Sequence, residues 1–281
     1  MRNLLVLLLL VLTTTAFAQK TIKLKVAYIP NHQYNMESKS ITHIIMDAQV
    51  DEATKEQLKN QGMELPLKMD MNQDMLTEVK TQQLNSNKEM PLTIEYTKFE
   101  MKQTMGDKEL PSQGNALKGM KATGVADSNG KIRIENVEGE AVNDAIKKMM
   151  ISMSDQLGVQ IAFPEKPMKV GDEFTQEVPM NMPIQGGVEL KMIVKTVYKL
   201  TSFNKENALF DTSVIMTMDL SMSEGSMKAE GAGTGKMTFD IKKNFMSTAT
   251  TNLDMKMKMQ MGIMDMDITS SSQSDVTVTH L

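Results

Sequence analysis

The chain has 281 residues, with 31 Lys and Arg against 35 Asp and Glu, which gives a formal net charge of −4. These charges are mixed along the chain without a basic stripe, which argues against nucleic acid as a partner. The chain contains no Cys, which excludes disulfides and thiolate metal sites, and its four Tyr with no Trp argue against a carbohydrate platform of stacked rings.

Residues 1–18 have the features of a secretory signal peptide. Arg2 supplies a positive start, Leu4 to Leu12 is an unbroken apolar run, and Ala16-Phe17-Ala18 has the small-x-small form of a cleavage site. The apolar run is too short to span a membrane, and no later segment is apolar enough to do so. We expect cleavage near Ala18 and export of a soluble chain to the periplasm or the cell exterior.

In chain order, the pattern predicts a mainly β (α+β) fold with long antiparallel strands in one or two curved sheets. The N-terminal half, residues 19–160, is expected to be β-rich and to carry the one principal packing helix. Apolar residues alternate with polar ones, as on strands with one buried face, in the runs 20–29, 36–50, 67–79 and 90–105.

The remaining elements of this half are a helix or loop, a hairpin and the principal helix. Residues 51–62 are polar and fit a short helix or a loop. Within 120–137 we expect a hairpin, because Asn129-Gly130 is the favoured pair for a two-residue type I′ turn. The principal helix is predicted near 139–157, where apolar residues recur every 3.6 positions and Gly158 suits the position after its end. Its Met and Ile stripe should pack on a sheet face.

The C-terminal half, residues 161–281, is predicted to be uniformly antiparallel β. Its most regular segment has methionine at every second position, with Lys256, Lys258 and Gln260 between them. Successive side chains of a strand point to opposite faces, so these methionines share one face. The Met phase then changes from odd to even at Gly262. We expect a β-bulge there, within one strand over 244–268, which would keep Met264 and Met266 on the same side.

The candidate site is the apolar face formed by these methionines. Its candidate residues are Met216, Met218, Met255, Met257, Met259 and Met261. Three interpretations are open. Met can simply fill a β core, because its flexible thioether adapts to gaps. A Met-lined face can instead hold a lipid, another apolar small molecule or an envelope protein. Thioethers also bind Cu(I), a soft ion. We expect no cofactor.

Motifs for catalysis are weak in this sequence. The segment from Gly231 to Lys236 resembles a phosphate-binding loop but lacks its first Gly and the Ser or Thr after Lys236. The only imidazoles are those of His32, His43 and His280, and no zinc-binding or Gly-x-Ser-x-Gly motif occurs. We therefore expect a non-enzymatic protein.

Several phrases carry a resemblance to a known family. The chain contains a Lys-Pro-x-Lys-x-Gly-Asp phrase ending at Asp172, then Tyr198-Lys-Leu200, then Gly233-x-Gly235-x-x-x-Phe239-Asp240. In these the chain resembles a family of exported β-rich proteins from Bacteroidetes-type bacteria, known as a domain of unknown function, with Phe174 in place of Trp and Asn244 in place of a turn Gly. The broad pattern is also similar to the half-open barrels that carry lipoproteins or lipids across the periplasm. That likeness implies an apolar ligand.

Overall fold

The structure is a computed structural model of the full chain. It describes residues 20–60, 64–111, 117–127, 130–140, 142–144, 147, 150–151, 161–184, 188–222, 225–261 and 264–281. The predicted signal peptide and its cleavage site lie outside these residues.

The described residues form a mainly β fold, as predicted. The strands are β1 Thr21–Ile22, β2 Gln33–Gln49, β3 Leu67–Thr81, β4 Met90–Met105, β5 Lys108–Leu110, β6 Lys121–Ala126, β7 Ile132–Glu138, β8 Met168–Lys169, β9 Glu173–Ile184, β10 Val188–Phe203, β11 Asn207–Met222, β12 Gly225–Asp240, β13 Phe245–Met261 and β14 Met264–His280.

Twelve of these strands form one antiparallel sheet in the order β7-β6-β4-β3-β2-β14-β13-β12-β11-β10-β9, with β5 paired to the end of β4. Strands of both predicted halves belong to this sheet, which is continuous where β2 pairs with β14. The strands β1 and β8 form a separate two-stranded sheet.

The large sheet has two chemically different faces. Directly paired residues of neighbouring strands point to the same side. We call the side that carries Tyr34, Phe210 and Phe239 the inner face; these three side chains are at most 1% exposed. Among the described side chains of β2, β3, β4, β6 and β9 to β14, no Asp, Glu, Lys or Arg points to the inner face, whereas Lys108 on the short edge strand β5 is exposed and pairs with Met105 of that face. The outer face carries the charged residues.

The main hydrophobic core covers one end of the inner face. It joins Tyr34, Leu200 and Phe239 to side chains from outside the sheet, such as Leu24 and Met168. In the run 20–29, the predicted alternation of buried and exposed residues is present. Only Thr21–Ile22 is a strand, however, because the rest of the run lies over the core without pairing to the large sheet.

One helix is described along its whole length, α1 at Glu52–Asn60. Its start is capped by Asp51, whose Oδ1 accepts a hydrogen bond of 2.7 Å from the backbone N–H of Thr54. No helix in the described part of the chain is long and apolar enough to cross a membrane.

The predicted principal helix near 139–157 is described only in part. Asp144, Lys147, Met150 and Ile151 have helical backbone. Met150 and Ile151 pack against an inner-face cluster that includes Met120. This is the expected packing of the helix on a sheet face. Residues 139–140 and 142–143 are described but are not helical. The remaining residues of the predicted helix lie outside the described residues.

The hairpin between β6 and β7 is present, but its turn differs from the prediction. The N–H of Asp127 donates to the carbonyl of Lys131 at 2.9 Å, which leaves three residues between them. Gly130 has a φ of 79°, in the left-handed region. A three-residue loop with Gly in this conformation is the next most common hairpin connection. The predicted two-residue turn is therefore wrong, and Asn129 lies outside the described residues.

The predicted β-bulge near Gly262 is also wrong, because the chain reverses there. β13 ends at Met261, β14 begins at Met264, and these two residues pair in an antiparallel hairpin. Paired residues share a face, so crossing a two-residue connection changes the phase of the apolar positions from odd to even. A bulge produces the same change of phase. The correct element is a hairpin, which adds a strand to the sheet.

Candidate functional site: a methionine-lined end of the inner face

Methionines line the inner face at the end of the sheet away from the aromatic core. We call this set the methionine face. It consists of Met46, Met69, Met105, Met180, Met192, Met216, Met218, Met227, Met255, Met257, Met259 and Met266, together with Leu190, Leu220 and Ile268.

Strand register arranges these residues in rows that cross the sheet. In one row, Met227, Met259 and Met266 are successive cross-strand partners on β12, β13 and β14. In the next row toward the core, Met257 has Ala229 on one side and Ile268 on the other. Cross-strand partners have Cβ atoms roughly 4.5–5.5 Å apart, so each row is a continuous apolar surface.

The structure brings most of the predicted site residues to this face. Met216 and Met218 on β11, and Met255, Met257 and Met259 on β13, are all half-buried on the inner face. β12 lies between the two strands.

Gly231 separates Met216 from Met255 in one row, and a Cβ at Gly231 would lie 3.6 Å from Met255 Cγ. The glycine therefore lets a methionine side chain lean across β12. The side chain of Met261 lies outside the described part, although its backbone pairs with Gly225 and Met264.

Sequence reasoning missed several members of the face, notably Met46, Met192 and Met227. Met227 lies between two polar residues, so a signal existed there, but Met46 and Met192 each have an isoleucine on one side. Nothing local showed that the three strands belong to one surface. The face also differs from a closed core. Met255, Met257 and Met259 are half-buried, whereas core residues such as Phe210 and Leu200 are at most 1% exposed.

A polar zone separates the methionine face from the aromatic core. We call it the hydroxyl belt. It consists of Ser40, Thr42, Thr212, Thr251, Ser272 and Ser274, all on the inner face. The Ser272 hydroxyl donates to the carbonyl of Leu253 at 3.3 Å. Among the described residues, the other belt hydroxyls have no hydrogen-bond partner.

A groove of about 680 Å³ opens near the end of β13, and Lys228, Lys256, Lys258 and Asp267 line it. These charged residues belong to the outer face. Of the methionine face, only Met259 and Met266 border this groove. Many of its lining residues are charged, and burying these charges against an apolar molecule would be costly, so the methionine face stays the candidate apolar site.

A Ser-His-Asp row crosses the outer face, and sequence spacing gave no sign of it. His43 Nδ1 lies 2.6 Å from Asp70 Oδ1, and Ser271 is the partner of His43 on the neighbouring strand. The His43 and Asp70 side chains are 62% and 55% exposed. An acyl-transfer site needs free hydrogen-bond donors that stabilise the oxyanion of the tetrahedral intermediate. Backbone N–H groups inside a sheet are used in the strand ladder, so we assign this row no reaction.

A histidine pair lies at the core end of the sheet. His280 Nδ1 is 3.1 Å from His32 Nε2, and the His280 ring packs against Tyr34 with centroids 4.8 Å apart. His280 Nε2 is buried and has no partner among the described residues. Burial, with smaller contributions from Lys243 and His32, lowers the pKa of His280 to about 4. The ring is therefore neutral at physiological pH and takes part in packing.

Comparisons with known proteins identify no family for this chain. No protein-family model and no curated protein matches it. A lipovitellin structure described by its lipid–protein interactions is similar over 91% of this chain, with 10% identity and a TM-score of 0.46, and this chain spans only 26% of that one. Pseudomonas aeruginosa OccK5 (OpdH) is similar over 90% of this chain and all of its own, with 6% identity and a TM-score of 0.26.

A mutant of the Rh. blastica porin is similar over 88% of this chain and 100% of its own, with 8% identity and a TM-score of 0.26. Scores this low establish neither a shared fold nor a shared ligand. The resemblance to an exported family of unknown function stays a prediction, and its Bacteroidetes origin has no support from these comparisons.

Proposed function

We propose that this chain is an exported, non-enzymatic protein that holds an apolar molecule on the methionine face. The observation that carries the proposal is the set of adjacent methionine rows on β12, β13 and β14, whose described inner-face side chains include no Asp, Glu, Lys or Arg. Flexible thioethers can repack around guests of different shape. The outer side of the same strands is charged, which gives one apolar face and one charged face.

The packing supports a binding face over a purely structural core. The aromatic and aliphatic core is sealed by residues such as Leu24 and Met168, which are 6% and 4% exposed. The central methionines of β13 are only half-buried. Apolar surface that stays partly open is typical of a site that acquires a partner.

A matched pair of charge substitutions on β13 tests the proposal. Met257→Lys places a cation on the inner face, and Gln260→Lys adds the same charge on the outer face. We expect Met257→Lys to weaken binding of the neutral dye Nile red by roughly tenfold or more, because an unpaired cation in an apolar site is costly. Gln260→Lys should bind like the wild type.

Native mass spectrometry of the protein purified from its own envelope gives an independent readout. We expect bound apolar molecules that organic solvent removes. A protein that is always empty, that does not bind Nile red, or that loses binding equally in both variants would refute the proposal.

Cu(I) binding is the second candidate, and the row of Met227, Met259 and Met266 favours it. These residues are successive cross-strand partners, so three thioethers lie on one face of adjacent strands. Thioether sulfur is a ligand that Cu(I) prefers. We place copper second because the same surface continues over many more methionines than one ion needs.

A further inference from the structure

One stretch of the N-terminal segment has backbone polar groups that the described part of the chain leaves unpaired. We call residues 23–26 the free edge. Among the described residues, none of their backbone N–H or C=O groups forms a hydrogen bond, and the first bond beyond them runs from the N–H of Ala27 to the carbonyl of Asn244 at 3.0 Å. Leu24 and Val26 are only 6% and 4% exposed. Buried backbone groups are nearly always paired, so this stretch lacks partners that an added strand can supply.

Proline residues explain why the pairing of β1 with β8 does not continue along the free edge. The last antiparallel pair of these two strands is Ile22 with Met168. Continued in register, the ladder would place Pro167 opposite Lys23, and a second proline, Pro164, lies three residues before it. Proline has no N–H to donate and is kept out of the interior of a ladder. The pairing therefore stops at Ile22.

A groove of about 660 Å³ follows the free edge. All four consecutive residues of the free edge line it, as do residues 161–165 and, from the turn between β6 and β7, Asp127 and Lys131. A groove on one face of an extended segment would contact only alternate side chains. Contact with all four residues indicates that the groove runs beside the backbone. Successive residues of an extended segment direct their N–H and C=O groups to opposite sides, so two of the four residues face the groove.

The rim of the groove is basic. Lys23, Lys25 and Lys131 are exposed, and among the described residues none of their ammonium groups forms an ion pair. The lining also contains two carboxylates, those of Asp127 and Glu165. Asp127 Oδ1 accepts the backbone N–H of Lys131 at 2.9 Å within their own turn. An acidic guest therefore meets three unpaired cations, and opposite charges on directly paired strands attract.

Apolar side chains supply the other half of the recognition. Ile161 and Phe163 are half-buried, line the groove and pack against the main core. Directly paired residues of neighbouring strands share a face. A strand added beside the free edge therefore directs the residues opposite the two lysines outward, and the residues between them toward the core. This arrangement fits a strand in which acidic and apolar residues alternate.

We infer that the free edge binds an extended segment of a partner protein by strand addition, and that acidic residues alternate with apolar ones in that segment. Backbone hydrogen bonds hold the added strand, the lysines select its acidic residues, and Ile161 and Phe163 contact its apolar ones. The groove lies beside the main core, at the opposite end of the inner face from the methionine face. The inference is therefore independent of the proposed function.

A short synthetic peptide tests the inference by fluorescence polarisation. It consists of three Glu-Val repeats, is acetylated and amidated, and carries a fluorescein label. We expect it to bind the wild type saturably with a Kd below about 100 μM. The same peptide N-methylated at every residue keeps its side chains and loses its backbone donors, so it should bind at least roughly tenfold more weakly.

Charge reversal on the protein tests the selectivity. The double variant Lys23→Glu/Lys25→Glu should bind the Glu-Val peptide at least roughly tenfold more weakly and should gain affinity for a peptide of Lys-Val repeats. Lys228→Glu/Lys236→Glu makes the same change of charge at exposed positions on the outer face of β12 and is the matched control. It should bind the Glu-Val peptide like the wild type. Far-UV circular dichroism checks that both variants are folded.

Hydrogen exchange measured by mass spectrometry distinguishes strand addition from a contact between charges alone. Saturation with the Glu-Val peptide should slow exchange at the amides of the free edge, whereas a contact between charges would leave them unchanged. A wild type that does not bind the Glu-Val peptide, a fully N-methylated peptide that binds equally well, or an equal loss in the two double variants would overturn the inference.

Discussion

Substitution of Gly233 by Ala should destabilise the protein, because β12 and β13 approach too closely there for a side chain. A Cβ at Gly233 would lie 2.3 Å from the carbonyl oxygen of Asn252 and 3.1 Å from Leu253 Cα. Both are backbone atoms of the neighbouring strand, so no side-chain rotation can relieve the overlap. The strands would have to separate or β12 would have to shift.

The magnitude follows from two opposing effects. Overpacking of a well-packed site costs roughly 1–3 kcal/mol. Replacing Gly by Ala also restricts the unfolded chain, which offsets about 0.4–1 kcal/mol. Because the overlap at Gly233 is with backbone, we expect the upper part of the range and a net loss of about 2 kcal/mol. Gly231→Ala is the matched control on the same strand and face. Its nearest neighbour would be the Asp254 carbonyl oxygen at 3.3 Å.

Urea denaturation followed by far-UV circular dichroism measures both variants. We expect Gly233→Ala to lower the midpoint urea concentration at an unchanged slope, and Gly231→Ala to stay within about 0.5 kcal/mol of the wild type. A Gly233→Ala protein as stable as the wild type, or an equal loss in both variants, would refute the assignment of a steric role to this glycine.

Three further outcomes are expected. The pKa of His280 is about 4 in the folded protein, against an ordinary value of 6.5. Between these two pH values the unfolded state binds more protons than the folded state. The free energy of unfolding should therefore be highest above pH 6.5 and should fall as the pH drops toward 4. The loss should be on the order of 1 kcal/mol, a value discounted because the ring is partly exposed. In His280→Gln the urea midpoint should depend less on pH across this range. A variant with the same pH profile as the wild type would contradict the role assigned to His280. Titration with Cu(I) under reducing conditions against a competing chelator should give binding no tighter than about micromolar, and tight binding that Met259→Leu abolishes would reverse the order of the two candidate functions. The wild type and Ser271→Ala should hydrolyse p-nitrophenyl acetate at the same rate, because the Ser-His-Asp row has no assigned oxyanion donors. A rate that is lost in Ser271→Ala but kept in the control Thr269→Ala would show that the row is catalytic.

Local sequence determined which side chains share a face. The period of two is a property of each strand alone, so Met255, Met257 and Met259 were placed together before any strand partner was known. The same period separates the lysines of β13 from its methionines, and it keeps the described Asp, Glu and Lys residues of β12, β13 and β14 on the outer face. The left-handed turn at Asn244 is another local feature. Asn stands there in place of the expected Gly, and its φ of 53° is a conformation that Asn tolerates.

Tertiary structure decided which strands are neighbours, and through this the site. β2 and β14 pair although more than two hundred residues separate them in the chain, and this pairing aligns Ser40 with Ser274. The hydroxyl belt and the methionine rows exist only in that register. The connection at Gly262 shows the physical limit most clearly. A bulge and a two-residue hairpin change the phase of the apolar positions alike, so the local pattern cannot distinguish them, and only pairing with distant strands selects the hairpin.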